Sequence, residues 1–183
     1  KAELLKLYPR ARLYYLFLSG KIRNSTTAKF KSGLLTTYDY FYSSSGMDDY
    51  PAQMAMKRDE LRDKAAPVIT TAQVIRFGKI LSIFAHKLCK SADESEYQDD
   101  IKTLTDALNK YSWDNESGYY SYVLHDENYE PTVQYKTEDG ENLNKGLDGI
   151  YPIIAGVCNE EQSEKIIAHL TDEKEMHSPY GIS

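Results

Sequence analysis

The chain has 183 residues, 41% hydrophobic and 27% charged, with a net charge of −6. One domain over residues 1–183 with a substantial core is expected. The acidic balance excludes a binder that tracks nucleic-acid phosphates, which needs clustered Lys and Arg, and it disfavours acidic polysaccharides as substrates. There is no run of about 18 apolar residues, so no membrane span is expected.

Tyrosine is the compositional departure, with sixteen Tyr against five Phe and one Trp. An apolar face with a hydroxyl tip suits a carbohydrate-binding cavity as well as a core rim, and filling a core rim is the ordinary reading. In chain order, "YPRARLYYLFLSG" predicts a helix with Pro9 in its first turn and Gly20 just past its end. Residues 21–62 are rich in Ser, Thr, Gly and Tyr and show no sustained helical period. So long a connection inside a domain is usually functional or disordered, and its aromatic content favours order.

"APVITTAQVIRFGKILSIFAHKLC" opens at Pro67. Its apolar positions leave a narrow polar stripe of Arg76, Lys79, Ser82 and His86, which predicts a helix covered nearly all round. From Glu94 to Tyr111 the pattern changes. Tyr97, Ile101, Leu104, Leu108 and Tyr111 step by three and four opposite a charged face, as in a half-buried outer helix. "GYYSYVLHDENYEPTVQY" alternates and predicts a short β-hairpin.

The helical alternation then repeats. "LNKGLDGIYPIIAGV" is apolar at its core, and "NEEQSEKIIAHL" is amphipathic, with Asn159 and Gln162 spaced as a capping box. Buried helix then surface helix, twice, is the pattern of two concentric helical layers; the fold class expected is all-α, a partial toroid of helical hairpins with a short β-hairpin insertion. "SGMDDYP" (45–51) and "KGLDGIYP" (145–152) form a weak internal echo a hundred residues apart.

Cys89 and Cys158 end apolar runs and read as buried thiols rather than a bridge. The chain starts at Lys1 and stops in the loop-like "SPYGIS", so a piece of a longer protein is expected, with any signal peptide upstream. A bacterial source would favour a periplasmic or secreted location and a eukaryotic one the secretory pathway. The sequons at Asn24 and Asn115 matter only in the latter.

Most chemical templates fail. The four His are scattered and no Cys/His set has zinc spacing. "DNESGYYSYVLHDE" offers calcium-type oxygens but breaks the EF-hand pattern, leaving calcium as the one cation with any signal and no cofactor expected. Nucleotide and serine-nucleophile motifs are absent. Carboxylates remain. Asp48 and Asp49 stand together in "FYSSSGMDDYPAQ", either capping a turn or supplying a carboxyl whose pKa is raised by apolar surroundings and a like charge.

"SSGMDDYPAQ" resembles the Asp-Asp-Tyr-Pro motif of glycoside hydrolase family 63, which includes processing α-glucosidase I. "KILSIFAHKLC", "YSWDNESGYYSYVLHD", "GLDGIYPIIAGV" and "EEQSEKIIAHLTDEKEMHSPYGIS" are similar to later family segments in the same order. The resemblance implies an (α/α)6 barrel, inverting hydrolysis of an α-linked oligosaccharide and Asp48 as general acid. Asp49, Tyr50 and Gln53 would shape the sugar site. The family's Arg after Tyr-Pro is Ala52 here, a loss of a forked charged contact that bears on substrate identity. The family's base, a glutamate, lies beyond "SPYGI"; Glu138, Glu141 and Asp148 are candidates within this chain only by default. The chain alone is therefore expected to be inactive and to need the remainder of its own catalytic domain. Two alternatives differ in class. One is a non-catalytic helical module binding glycan or protein; the other is a toroid lyase, which the acidic balance disfavours.

Overall fold

In the computed structural model, which describes residues 2–37 and 50–182, helix α1 spans Ala2–Leu18. It starts earlier than expected because Ala2–Leu7 consists of strong helix formers. Pro9 therefore sits inside the helix rather than in its first turn, and lacks the N–H that would bond the Leu5 carbonyl. Burial of Tyr8 and Tyr15 on either side holds the helix through it. Gly20, at φ 78°, ends it as expected. Its N–H donates to the Phe17 carbonyl and that of Lys21 to the Leu16 carbonyl, the paired bonds of a Schellman stop.

Helix α2 (Pro51–Arg58) lies in the stretch where no helical period is evident. Eight residues are too few to show one, but Ala52, Gln53, Ala55 and Met56 are buried and define its inner face. Strand β1 (Ala65–Ala66) leads into α3 (Val68–Lys87), which packs against α1, α4 and α5. Helix α4 (Ser91–Ala107) runs into a π turn at Leu108–Ser112 and buries Tyr97, Leu104 and Leu108 along the predicted stripe. Cys89 is exposed rather than buried, because it follows the end of α3 in a positive-φ turn; Cys158 is half-buried.

Short strands follow: β2 (Trp113–Asp114) pairs with β3 (Tyr119–Tyr120), and β4 (Val123–His125) with β5 (Pro131–Gln134). The latter is the expected hairpin, with Val123 opposite Gln134 and an irregularity before His125–Pro131. β1 adds antiparallel to β4, giving the order β1-β4-β5. His125 pins the chain here. Its Nδ1 donates to the Lys64 carbonyl at 3.1 Å, its Nε2 meets Ser32 Oγ at 2.8 Å, and Phe30 stacks on it at 3.7 Å.

Helix α5 (Leu147–Ala155) is followed after a short connection by α6 (Glu160–Thr171), which packs on β3, and β6 (His177–Ser178) pairs with β7 (Gly181–Ile182). α3 and α5 form the inner layer; α1, α4 and α6 form the outer one. About 52% of the residues are helical, and the arrangement is a partial helical toroid with a small β insertion. α3 is long and apolar enough to cross a membrane, at mean hydropathy 1.4, but half of that window is buried inside the fold as a core helix. It is not covered all round, since Ile80 and Ile83 are 40% and 55% exposed.

The tyrosine excess has one structural answer between α1 and α4. Tyr8 Oη donates to Asp93 at 2.8 Å, Tyr15 Oη donates to Asp100 at 2.9 Å, and Tyr15 meets Tyr97 edge-on at 5.0 Å. Arg12 and Lys21 pair with Glu96 beside them at 2.7 and 2.9 Å. Each ring buries its body and spends its hydroxyl on an outer-helix carboxylate.

The capping box at the start of α6 is present as read. The Gln162 N–H donates to Asn159 Oδ1 at 2.8 Å and the Asn159 N–H to Gln162 Oε1 at 2.9 Å. Asn159→Ala is expected to lower unfolding stability by about 1 kcal/mol, measured by denaturant titration. An unchanged midpoint would show that the cap contributes nothing.

Candidate active site

Three helix starts meet on one side of the inner layer. α2 begins at Pro51, whose missing N–H costs nothing at a first helical position. α3 begins after Pro67 and α5 after Gly146. Each start leaves backbone N–H groups without helical partners, and none is capped by its own N-cap side chain. The Asp148 carboxyl, in the first turn of α5, faces the Ile69 N–H in the first turn of α3 and complements that start from across the interface.

Tyr122, between β3 and β4, donates its O–H to Asp148 Oδ2 at 2.5 Å. Asp148 Oδ1 has no hydrogen-bond partner among the described residues. Burial is complete and pushes the Asp148 carboxyl up to about 7; the Tyr122 bond and the Ile69 N–H pull the other way. Burial first, and the Asp148 charge second, push Tyr122 well above the ordinary phenol range, so the phenol is the donor of this pair. Gln53, 1% exposed, lies beside Tyr122 on the α2 side and acts against that rise.

Tyr50 closes over the start of α5. A Cβ on Gly146 would lie 2.9 Å from Tyr50 Oη, so glycine there permits the approach. The Tyr50 hydroxyl is buried without a hydrogen-bond partner among the described residues. Burial and then the Asp148 charge raise its pKa, while the N–H groups of Asp148 and Gly149 act against them.

A cavity of about 630 Å³ opens beside these groups, within the range of small-molecule sites. Tyr50 and Pro51 form one wall, Lys145–Leu147 a second, and Glu175 with Met176 a third; Tyr119 stands between them. Burial and the Glu175 charge push the Tyr119 phenol up to about 12, and its O–H donates to Met176 Sδ at 3.2 Å. Two aromatic hydroxyl-bearing faces, a cation and a carboxylate around a cavity of this size suit a polyhydroxylated ligand.

Asp48 and Asp49 lie outside the described residues. Of the other expected site residues, Tyr50 lines the cavity and Gln53 is buried against Tyr122. Among the default base candidates, Asp148 is buried next to the cavity, whereas Glu138 and Glu141 are exposed. Glu138 lines a separate cleft with Arg58, Asp59 and Tyr135. The described residues contain no group of three His, Cys, Asp or Glu able to hold a metal ion. Tyr119, Tyr122, Lys145 and Glu175 are site residues that sequence reasoning missed. The "DDYP" motif pointed at this place through Tyr50, and the default base candidates through Asp148.

The sequence model of the mannosylglycerate hydrolase MGH1-like glycoside hydrolase domain matches residues 24–183. The chain belongs to this MGH1-like glycoside hydrolase family. Its fold is similar to that of the GH63 mannosylglycerate hydrolase from Thermus thermophilus, solved in complex with glucose. The TM-score is 0.53 at 16% identity, covering 92% of this chain and 45% of that one. The chain thus spans less than half the length of that structure. No curated protein matches it. The family 63 resemblance carried by "SSGMDDYPAQ" and the later blocks is borne out.

Proposed function

We propose that this domain is the first part of an inverting glycoside hydrolase cleaving α-linked glucosides or related oligosaccharides. Asp48 is its general acid, and the base glutamate lies beyond residue 183. The observation that carries the reading is the cavity at the inner-helix starts, with Tyr50 on its wall. Asp48 precedes Tyr50 by two residues, a chain span of at most about 7 Å. The protonated Asp48 carboxyl gives its proton to the glycosidic oxygen as the C–O bond breaks. A second carboxylate takes a proton from water attacking the opposite face of the sugar. Tyr50, with Asp49 and Gln53 beside it, shapes the sugar site.

The remainder of the catalytic domain is the partner this reading requires. The exposure of Ile80, Ile83, Leu147 and Ile154 on the two inner helices supports it, because inner helices of a closed toroid are covered. The test compares the complete protein with residues 1–183 alone on mannosylglycerate and on α-linked glucose disaccharides. Hydrolysis by the complete protein and none by the shorter chain is expected. Glycan binding without turnover by the complete protein would instead support a non-catalytic binding module.

A further inference from the structure

The third wall of the cavity carries a carboxylate whose orientation is fixed from behind. Glu175 lies in the turn after α6, where the N–H groups of Glu175, Met176 and His177 all donate to the Asp172 carbonyl at 3.0–3.1 Å. His169, in the last turn of α6, places Nδ1 2.5 Å from Glu175 Oε2 and Nε2 2.9 Å from the Ser117 carbonyl. Its ring packs on Tyr119 at 4.4 Å. The imidazole holds one carboxylate oxygen, and the turn and the Tyr119 ring fix the positions of Glu175 and of the imidazole respectively. Lys145, on the neighbouring wall, makes no ion pair with it among the described residues.

A fixed carboxylate beside tyrosine faces in a cavity of sugar size accepts O–H donors, and vicinal hydroxyls are the group that matches it best. The same charge repels a ligand carboxylate or phosphate at that wall. We propose that Glu175 is a specificity-determining residue that accepts hydrogen bonds from the hydroxyls of a neutral sugar unit, and that His169 is its positioning residue. This rests on the glycosidase reading above and names a subsite within it.

The experiment is steady-state hydrolysis of mannosylglycerate and maltose by the complete protein, as wild type, Glu175→Ala, Glu175→Gln, His169→Gln and the His169→Gln/Glu175→Ala double variant. Glu175→Ala is expected to raise KM about tenfold or more, as for a lost hydrogen bond to a charged group, with a smaller change in kcat. Glu175→Gln, which keeps a neutral acceptor and is the milder variant for folding, recovers part of the loss. His169→Gln raises KM on its own but adds nothing in the Glu175→Ala background, a coupling that a merely structural role would not produce. Wild-type turnover with KM unchanged in both Glu175 variants overturns this inference alone, as do additive His169 and Glu175 effects. A wild type that hydrolyses neither compound overturns it together with the glycosidase reading.

Discussion

Asp48→Asn in the complete protein is expected to lower kcat on an unactivated α-glycoside about 10³-fold, within the range of general-acid contributions. An amide keeps the size and polarity of the carboxyl but has no proton to give to the departing oxygen. The loss is therefore expected to fall on kcat, with KM changed little. It also depends on the leaving group. A glycosyl fluoride departs without protonation, so the variant's deficit on that substrate shrinks to less than about tenfold by the same argument. Equal losses on both substrates would mean that Asp48 acts in some other way, and retained activity on the unactivated glycoside would remove it from the chemistry.

Asp148→Asn is expected to remove a pH dependence of stability. The folded-state pKa of Asp148 is pushed up to about 7 from an ordinary value of 3.8, chiefly by burial. The native state therefore holds a proton that the unfolded chain has released. Its contribution is fully present below pH 3.8, declines as pH rises, and is lost above pH 7. Those three or so units correspond to on the order of 4 kcal/mol. Carboxyls whose pKa is lowered in the fold, such as Glu96 and Asp114, push stability the opposite way at lower pH, but equally in both proteins. The difference between wild type and variant, followed by thermal melts of the complete protein from about pH 4.5 to 8, isolates Asp148. The asparagine side chain keeps an acceptor for Tyr122 and carries no charge to bury. Its melting temperature is expected to fall less than that of the wild type as pH rises; parallel curves would show that Asp148 does not ionise in this range.

Much of the architecture is legible in the chain because periodicity reports burial directly. The stripe through Tyr97, Leu104 and Leu108 becomes the inner face of α4, and the alternation after Gly118 becomes the β4–β5 hairpin. The Asn159–Gln162 cap is local, so spacing alone announces it. What fails is either short or distant. Helix α2 is hidden by its length. Pro9 misplaces the start of α1 because a proline tolerated inside a helix looks the same in sequence as one that opens it.

The candidate site divides the same way. Tyr50 is legible through the motif that contains it, whereas Asp48 and Asp49, expected from the family resemblance, lie outside the described residues. The partners are not: Tyr122 meets Asp148 across 26 residues and His169 meets Ser117 across 52. The tyrosine excess, which composition leaves between core and cavity, serves both. Tyr8 and Tyr15 close the seam between outer helices, while Tyr50 and Tyr119 face the cavity.

The most direct measurement is proton NMR of the glucose anomer first released when the complete protein hydrolyses methyl α-glucoside, whose leaving group is methanol, taken before mutarotation. One acid and one base acting across a bound sugar through a single displacement predict β-glucose as the first product, with none formed by Asp48→Asn on the same timescale. Release of α-glucose, or a β-product that the variant forms at the wild-type rate, would contradict the account.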